Sequence, residues 1–484
     1  MSDVNQKVVI IGGGIAGITT AYYLQKKARE QGLNIDCQLL EASHKLGGKI
    51  QTTKRDGFVI EKGPDSFLAR KQSASRLAKE VGLADKLIAN TSGKSYVLVR
   101  DKLHPMPGGA IMGIPTQIAP FVTSGLFSPV GKLRAGLDFV LPRSEKKGDQ
   151  SLGEFFRRRL GDEVVENLIE PLLSGIYAGD IDQLSLMTTF PQFHQVEQKH
   201  RSLILGMKHS APSKQPRTKT PAKKQGMFLT VSTGLQSFVD AVEAKLNQGS
   251  VKMGIRVEHI EKGDSNYQLT LSNGTTMSAD SVVVATPHGA ASSMFSQYPF
   301  LDSFKEMPST SVATVAMAFP ESAIKNDIDG TGFVVSRNSD YTITACTWTH
   351  KKWPHSTPKG KVLLRCYVGR AGDEAIVEQS DDEIIKVVLD DLNKTMNISS
   401  SPEFSIVSRW KEAMPQYTVG HLERLQAIDQ AMQNELPGVF LAGASYRGLG
   451  IPDCIDQGEE AVEKVLSFLK EKAKNDTKEL IDVK

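Results

Sequence analysis

Lys7 to Gly17 reads KVVIIGGGIAG, and this stretch decides the fold. The β-branched run Lys7–Ile11 has the composition of a strand buried on both faces of a parallel sheet. It passes directly into Gly12, Gly13 and Gly14, followed by Ile15, Ala16 and Gly17, so that Gly12, Gly14 and Gly17 have GxGxxG spacing. The first glycine permits a tight turn, the second lets a pyrophosphate approach the backbone, and the third lets the next helix pack against the strand. That helix is predicted over Ile15–Gln31, with its positive end toward the phosphates. A second strand, Asp36–Leu40, ends in Glu41, which stands 24 residues after Gly17. A carboxylate there can accept hydrogen bonds from an adenosine ribose. A structural glycine turn is the alternative, but strand, turn, helix and acidic residue together point to a dinucleotide site.

The next residues separate a flavin dinucleotide from a nicotinamide one. Glu41 and Ala42 lead to Gly47-Gly48-Lys49, which resembles the GG motif of flavoprotein oxidases. Arginine usually follows the glycine pair there; Lys49 keeps the charge and loses the bidentate fork. A strand at Phe58–Ile60 opens into the turn Gly63-Pro64-Asp65-Ser66, and in related flavoproteins such a turn lies beside the isoalloxazine. Near the other end, Gly438–Gly443 is a second buried strand ending in glycine. Leu449-Gly450-Ile451-Pro452 then precedes a helical pattern from about Cys454 to Lys470. Proline is favourable at such a start, and a helix N-terminus under the flavin would stabilise negative charge on the reduced ring. A middle segment also belongs here. It holds Arg256-Val257, a hairpin turned at Asn273-Gly274 and the strand Ala279–Ala285, with a backbone contact to the cofactor expected near Val257. The expected cofactor is FAD, held by residues 1–76, 226–300 and 411–484 together.

Composition bounds the rest. The 484 residues exceed one typical core, and 40% apolar with 23% charged residues fits a globular protein. A formal charge of +3 speaks against a dedicated nucleic-acid binder. The four cysteines are widely separated, so neither a metal cluster nor a disulfide framework is expected, and a reducing cytoplasm is the plain reading. The first residues enter a strand at once, leaving no room for a signal peptide. The uncharged stretch Leu103–Gly131 is broken by five prolines, so it reads as core, pocket wall or a lipid-touching surface rather than a spanning helix.

Residues 77–207 read as mainly helical, with Leu152–Leu173 at helical spacing and Arg157, Arg158 and Arg159 clustered within it. The cluster could bind carboxylates; a solvated helix face is the commoner explanation. Residues 208–225 read as a basic mobile loop, residues 301–410 as a sheet-based substrate domain, and the tail after Leu469 as frayed and polar.

EKGPDSFLARK (Glu61–Lys71), FFRRRLGDEVVENLIEPLLSGIYAGD (Phe155–Asp180), ACTWTHKKWPH (Ala345–His355), RWKEAMPQY (Arg409–Tyr417) and GIPDCIDQG (Gly450–Gly458) together resemble the bacterial porphyrinogen oxidases. The similarity spans nearly the whole chain and is greatest to the soluble type of Gram-positive bacteria. It implies a fold of the α/β and α+β classes. A discontinuous Rossmann-like FAD-binding domain of the p-hydroxybenzoate hydroxylase and amine oxidase kind would be joined to a mixed-sheet substrate domain and a helical domain. It implies oxidation of coproporphyrinogen III to coproporphyrin III in haem synthesis. Six hydrogens would leave in three flavin turnovers, with molecular oxygen as acceptor and peroxide as by-product; protoporphyrinogen IX is the alternative substrate. Arg70 and Lys71 match a substrate-facing basic position, and Ile176 and Tyr367 match positions near the macrocycle. Solvent exposure of the first pair and core packing of the second remain open alternatives. Trp410 joins the expected cofactor contacts, and the absence of cysteine in Arg409–Tyr417 fits non-covalent FAD. No general base and no metal are assigned. A downstream ferrochelatase and at most a peripheral membrane contact complete the expected partners. An amine oxidase, a carotenoid desaturase and a porphyrin-carrying flavoprotein without turnover are the rival readings.

Overall fold

The run Lys7–Ile11 lies at the centre of a five-stranded parallel sheet. Its order is Val251–Met253, Ile35–Glu41, Gln6–Ile11, Ser281–Val284 and Val439–Leu441. Val8, Val9 and Ile10 are fully buried, as expected for a strand covered on both faces. The computed structural model describes residues 5–91, 93–144, 148–210 and 226–482. One face of the sheet is covered by the helix Ile15–Gln31 and by the C-terminal helix Ile451–Asp482, and the two helices pack on each other. A β-carbon on Gly458 would come 2.8 Å from the Ala16 carbonyl oxygen, so glycine allows this close crossing. The other face carries the hairpin sheet Val257–Lys262, Tyr267–Leu271 and Thr276–Ala279, turned at Gly274 with φ +80°.

A seven-stranded mixed sheet stands against this unit. Its order is Phe404–Pro415, Ser309–Pro320, Lys361–Val368, Ile343–Trp348, Gly332–Val335, Ser95–Val99 and Lys102–Pro105. One face packs on the helix Asp381–Met396, which starts with a Ser380–Glu383 capping box. The opposite face looks toward Phe58, Ile60 and the Gly63 turn. The hairpin Ser95–Pro105 differs from the helical expectation for 77–207. Its turn residues Arg100 and Asp101 adopt φ +47° and +64° without glycine, so the usual punctuation of a tight hairpin is absent.

Helices do make up most of the remainder of 77–207, around a separate apolar cluster with Phe155, Phe156, Leu168 and Phe193. The expected single helix Leu152–Leu173 is broken. It stops at Leu160, turns at Gly161 with φ +82°, passes through a π-helical stretch Val165–Ile169 and runs past Pro171 to Tyr177. The tail expected to fray continues the C-terminal helix to Asp482. Lys472 anchors it, donating to the Asp280 carboxylate at 2.7 Å and to the Ser265 carbonyl oxygen. Most of the basic loop expected at 208–225 lies outside the described residues. Among the described residues no helix is long and apolar enough to cross a membrane.

Candidate functional site

The glycines of the first turn divide into two kinds. A β-carbon on Gly17 would lie 1.8 Å from the Gly12 carbonyl oxygen, and one on Gly12 would lie 2.7 Å from that of Ala285. Those two glycines serve packing. A β-carbon on Gly14 would meet nothing within 4 Å, and the helix beginning at Ile15 has no side-chain cap. Orphan N–H groups and the positive end of the helix therefore open onto protein-free space, which is what an incoming pyrophosphate needs. Beside it, Gly13 donates to Glu41 Oε2 at 2.6 Å and Ser43 donates to Oε1 at 2.7 Å. These bonds fix the carboxylate beside the first turn, with Ala42 exposed next to it. Ile255 donates to the Glu41 carbonyl oxygen at 2.9 Å, which brings buried Val257 to the same edge.

Gly47 donates to the Gly13 carbonyl oxygen at 2.8 Å, carrying Gly48 and Lys49 past the cradle. The Lys49 ammonium donates to the Ala413 carbonyl oxygen, and burial lowers its pKa. A β-carbon on Gly63 would lie 1.8 Å from the Lys49 carbonyl oxygen, so the two backbones touch and Gly63 has to be glycine. The turn that follows is anchored by its own side chains. Asp65 accepts from Lys352 Nζ at 2.8 Å, Trp353 Nε1 at 3.2 Å and Ser66 Oγ at 2.6 Å. Burial alone would raise the Asp65 pKa, but Lys352 and Arg365 outweigh it and hold the carboxyl well below its usual range. Asp65 and Ser66 thus hold the turn, and Pro64 sits between them and Gly63. Trp410 spends its indole N–H on the Lys62 carbonyl oxygen at 2.9 Å. Glu61, the last residue of the strand Phe58–Glu61, is pushed up to about 7 by burial, against the donors Leu235 N–H and Thr52 Oγ1.

The C-terminal half closes from the other side. The close crossing at Ala16 and Gly458 sets the start of the first helix against the C-terminal helix, seven residues past its beginning at Ile451. Gly443 has φ +124° and donates to buried Gln457 at 3.2 Å. Tyr417 clamps the intervening loop, donating to the Ala444 carbonyl oxygen at 2.6 Å and accepting from the Gly448 N–H at 2.9 Å. His421 stacks on the Tyr417 ring at 4.3 Å and contacts the Tyr446 carbonyl oxygen at 2.8 Å. Burial depresses its pKa to about 4, so the ring stays neutral. Leu449 packs against the helical cluster, and Gly450 and Ile451 open the helix.

Of the residues expected at the macrocycle, two lie at the first turn of the C-terminal helix. Lys71 pairs with Asp453 in the first turn of the C-terminal helix. Arg70 is exposed beside it. Ile176 is 49% exposed, an unusual state for isoleucine, while the neighbouring Tyr177 ring lies 5.8 Å from Tyr417. Tyr367 is half-buried on the face of the mixed sheet that meets the Gly63 turn, its hydroxyl accepting from Arg365 Nη1 at 3.1 Å. The arginine cluster meets carboxylates of the chain itself, and Arg159 lies in the core rather than on the solvated face expected for it. Arg157 pairs with Asp182, Arg158 contacts Glu197 at 2.9 Å, and fully buried Arg159 contacts Glu197 at 2.8 Å and Asp138 at 3.5 Å. Nothing in the sequence marks Arg365, Lys352 or Trp353 for this turn; Lys352 and Trp353 lie in the stretch Ala345–His355, whose meaning needs the fold.

Residues 15–466 match the model of the family described as flavin containing amine oxidoreductase. The coproporphyrinogen III oxidase of Bacillus subtilis (strain 168) is 59% identical over 469 residues, covering 97% of this chain and 100% of the relative. That of Staphylococcus aureus is 46% identical, with 96% of this chain and 100% of the relative covered. A crystal structure from Exiguobacterium sp. 255-15, named for protoporphyrinogen oxidase, superposes with a TM-score of 0.86 at 37% identity and covers 97% of this chain and 100% of that one. The chain belongs to the flavin-containing amine oxidoreductase family and, within it, to the coproporphyrinogen III oxidase group. It is a flavin-dependent oxidoreductase.

Proposed function

We propose that this enzyme oxidises coproporphyrinogen III to coproporphyrin III in haem synthesis, removing six hydrogens and passing them to molecular oxygen as hydrogen peroxide. The observation that carries the reading is the junction of the first helix, whose N-terminus opens at Gly14, with the C-terminal helix that crosses it at Gly458, beside the sheet face whose Arg365 holds the Gly63 turn and the Tyr367 hydroxyl. The coproporphyrinogen III oxidase name of a relative at 59% identity supplies the substrate. FAD, bound without a covalent link, would supply hydride acceptance at this junction. Burial pushes the nearby Cys454 thiol up to about 12, which removes a nucleophilic thiolate and supports the non-covalent form.

Gly12–Gly17, Glu41, Ala42 and Val257 would hold the adenosine and pyrophosphate. Gly48, Lys49, Gly63–Ser66, Trp410, Gly443 and Leu449–Ile451 would hold the ring end. Segments 1–76, 226–300 and 411–484 then form the cofactor unit, residues 301–410 a wall over it, and 77–207 the helical side of the pocket. The tetrapyrrole is broad and apolar with anionic edges, which suits Ile176 and Tyr367 beneath it and Lys71 and Arg70 at the rim. Because neighbouring pyrroles stabilise the cation left by a departing hydride, the protein's work is positioning and exclusion of water.

Coproporphyrinogen carries four propionates and protoporphyrinogen IX carries two, so rim cations favour the former; the latter is the second reading, supported by the Exiguobacterium structure's name. We place the enzyme in the cytoplasm with a peripheral membrane contact. The support is the outward face of Pro129–Gly136 and the turn after it, where Val130, Leu133 and Val140 are 76%, 74% and 67% exposed. A downstream ferrochelatase is the partner that would use the product.

The test is direct. Heat-denatured protein should release FAD, and anaerobically prepared coproporphyrinogen III should be oxidised in preference to protoporphyrinogen IX, with porphyrin fluorescence and oxygen uptake rising together. Preference for protoporphyrinogen would transfer the enzyme to the other substrate, and turnover of neither would overturn the reading.

A further inference from the structure

Three adjacent strands of the mixed sheet each send one side chain to a single turn. Thr314 Oγ1 and Trp410 Nε1 donate to the Lys62 carbonyl oxygen at 2.8 Å and 2.9 Å, and Arg365 Nη2 donates to the carbonyl oxygen of Gly63. Arg365 is 3% exposed. Ala316 stands opposite it on the neighbouring strand, and the small side chain leaves room for the guanidinium. The other arm of the fork, Nη1, donates to the Tyr367 hydroxyl at 3.1 Å, with the guanidinium 5.0 Å from the ring centroid.

This cation is imperfectly satisfied. Its buried Nε has no hydrogen-bond partner among the described residues, and no carboxylate there forms an ion pair with it. Asp65, the acid that feels its charge most plainly, already binds Lys352 and Trp353. Burying a charge on such terms costs free energy that an apolar side chain of similar volume would not incur. Packing alone therefore does not account for arginine here. What the position offers is a planar fork able to hold two groups in a fixed relation: the Gly63 turn, whose backbone touches Lys49 on the cofactor side, and the Tyr367 ring on the substrate side.

We propose that Arg365 is a positioning residue which sets the Gly63 turn and the Tyr367 ring from one rigid fork and keeps a fixed positive charge beside the flavin. This rests on the function proposed above. Lysine at this position keeps the charge, but its ammonium cannot reproduce the paired arms; methionine keeps much of the volume and loses both.

The experiment compares Arg365→Lys, Arg365→Met and Tyr367→Phe holoenzymes by visible flavin spectrum, flavin midpoint potential, thermal midpoint, and kcat and KM for coproporphyrinogen III. Arg365→Met is expected to shift the flavin bands, make the flavin harder to reduce and lower kcat roughly tenfold or more, because a misplaced reacting geometry costs rate. Arg365→Lys should keep the potential near wild type and still lose most of that kcat, while Tyr367→Phe should act mainly on KM. Wild-type kcat in Arg365→Lys overturns the role of the fork. If Arg365→Met folds, wild-type bands and potential with only a lower thermal midpoint show a merely structural arginine and also overturn the proposal. If Arg365→Met fails to fold, Arg365→Lys decides. The spectrum and potential are read without any porphyrinogen, so a wild type inactive on both porphyrinogens would defeat the function reading while leaving this one testable.

Discussion

Gly14 separates what a glycine does for the chain from what it does for a ligand. At Gly12 and Gly17 a side chain would collide with backbone, whereas at Gly14 it would enter space free of protein atoms. Gly14→Val should therefore fold, with an apoprotein thermal midpoint within a few degrees of the wild-type apoprotein, and lose FAD affinity by roughly a hundredfold or more, since the pyrophosphate needs close backbone approach. Titration of both apoproteins with FAD checks this; wild-type affinity would remove the first turn from the site. The spacing alone announced these glycines. It could not announce Arg365, because every residue of Lys361–Val368 is buried or half-buried, and a buried strand shows no alternation to mark which side chain faces a cofactor.

At the scale of elements, periodicity located helices well and boundaries less well. The helix Ile15–Gln31 and the hairpin turned at Gly274 follow local rules that the chain states openly. The broken helix from Leu152 to Tyr177 does not, because its apolar spacing continues across Gly161 while the backbone turns there. What stabilises that break is tertiary. Buried Glu197, on the helix Pro191–His200, accepts from Arg158, Arg159 and the Ser144 N–H, tying three segments together. Glu197→Gln removes the charge that balances buried Arg159, and should cost on the order of 3–5 kcal/mol. The fall should appear in thermal or urea unfolding followed in the helical region, with the FAD spectrum of the folded protein unchanged. A loss within experimental error would mean that Asp138 alone compensates Arg159.

For the whole molecule, the notable surface is the outward one between Pro129 and Val140. Val130, Leu133, Leu137 and Val140 recur at helical spacing toward solvent, the reverse of the arrangement expected for a helix on a soluble core. If this face rests on lipid, wild-type protein should co-sediment with anionic vesicles, and Leu133→Asp combined with Val140→Asp should remain in the supernatant with unchanged solution kcat. Equal partitioning of the two proteins would exclude this face as the contact.

The sequence by itself determined the dinucleotide-type frame: a buried strand into GxGxxG, an acid at the end of the next strand, and a second strand-glycine-helix near the other terminus. Each of these is a local pattern, because turn geometry and helix polarity depend on residues close in the chain. Only the tertiary structure decided which side chains meet across long separations. The Ala16 and Gly458 crossing, the Lys71–Asp453 pair and the convergence of Thr314, Arg365 and Trp410 on one turn all join residues hundreds of positions apart or on different strands. Such pairings are set by how sheets and helices pack, and packing answers to the shape of the whole core rather than to any short stretch of chain.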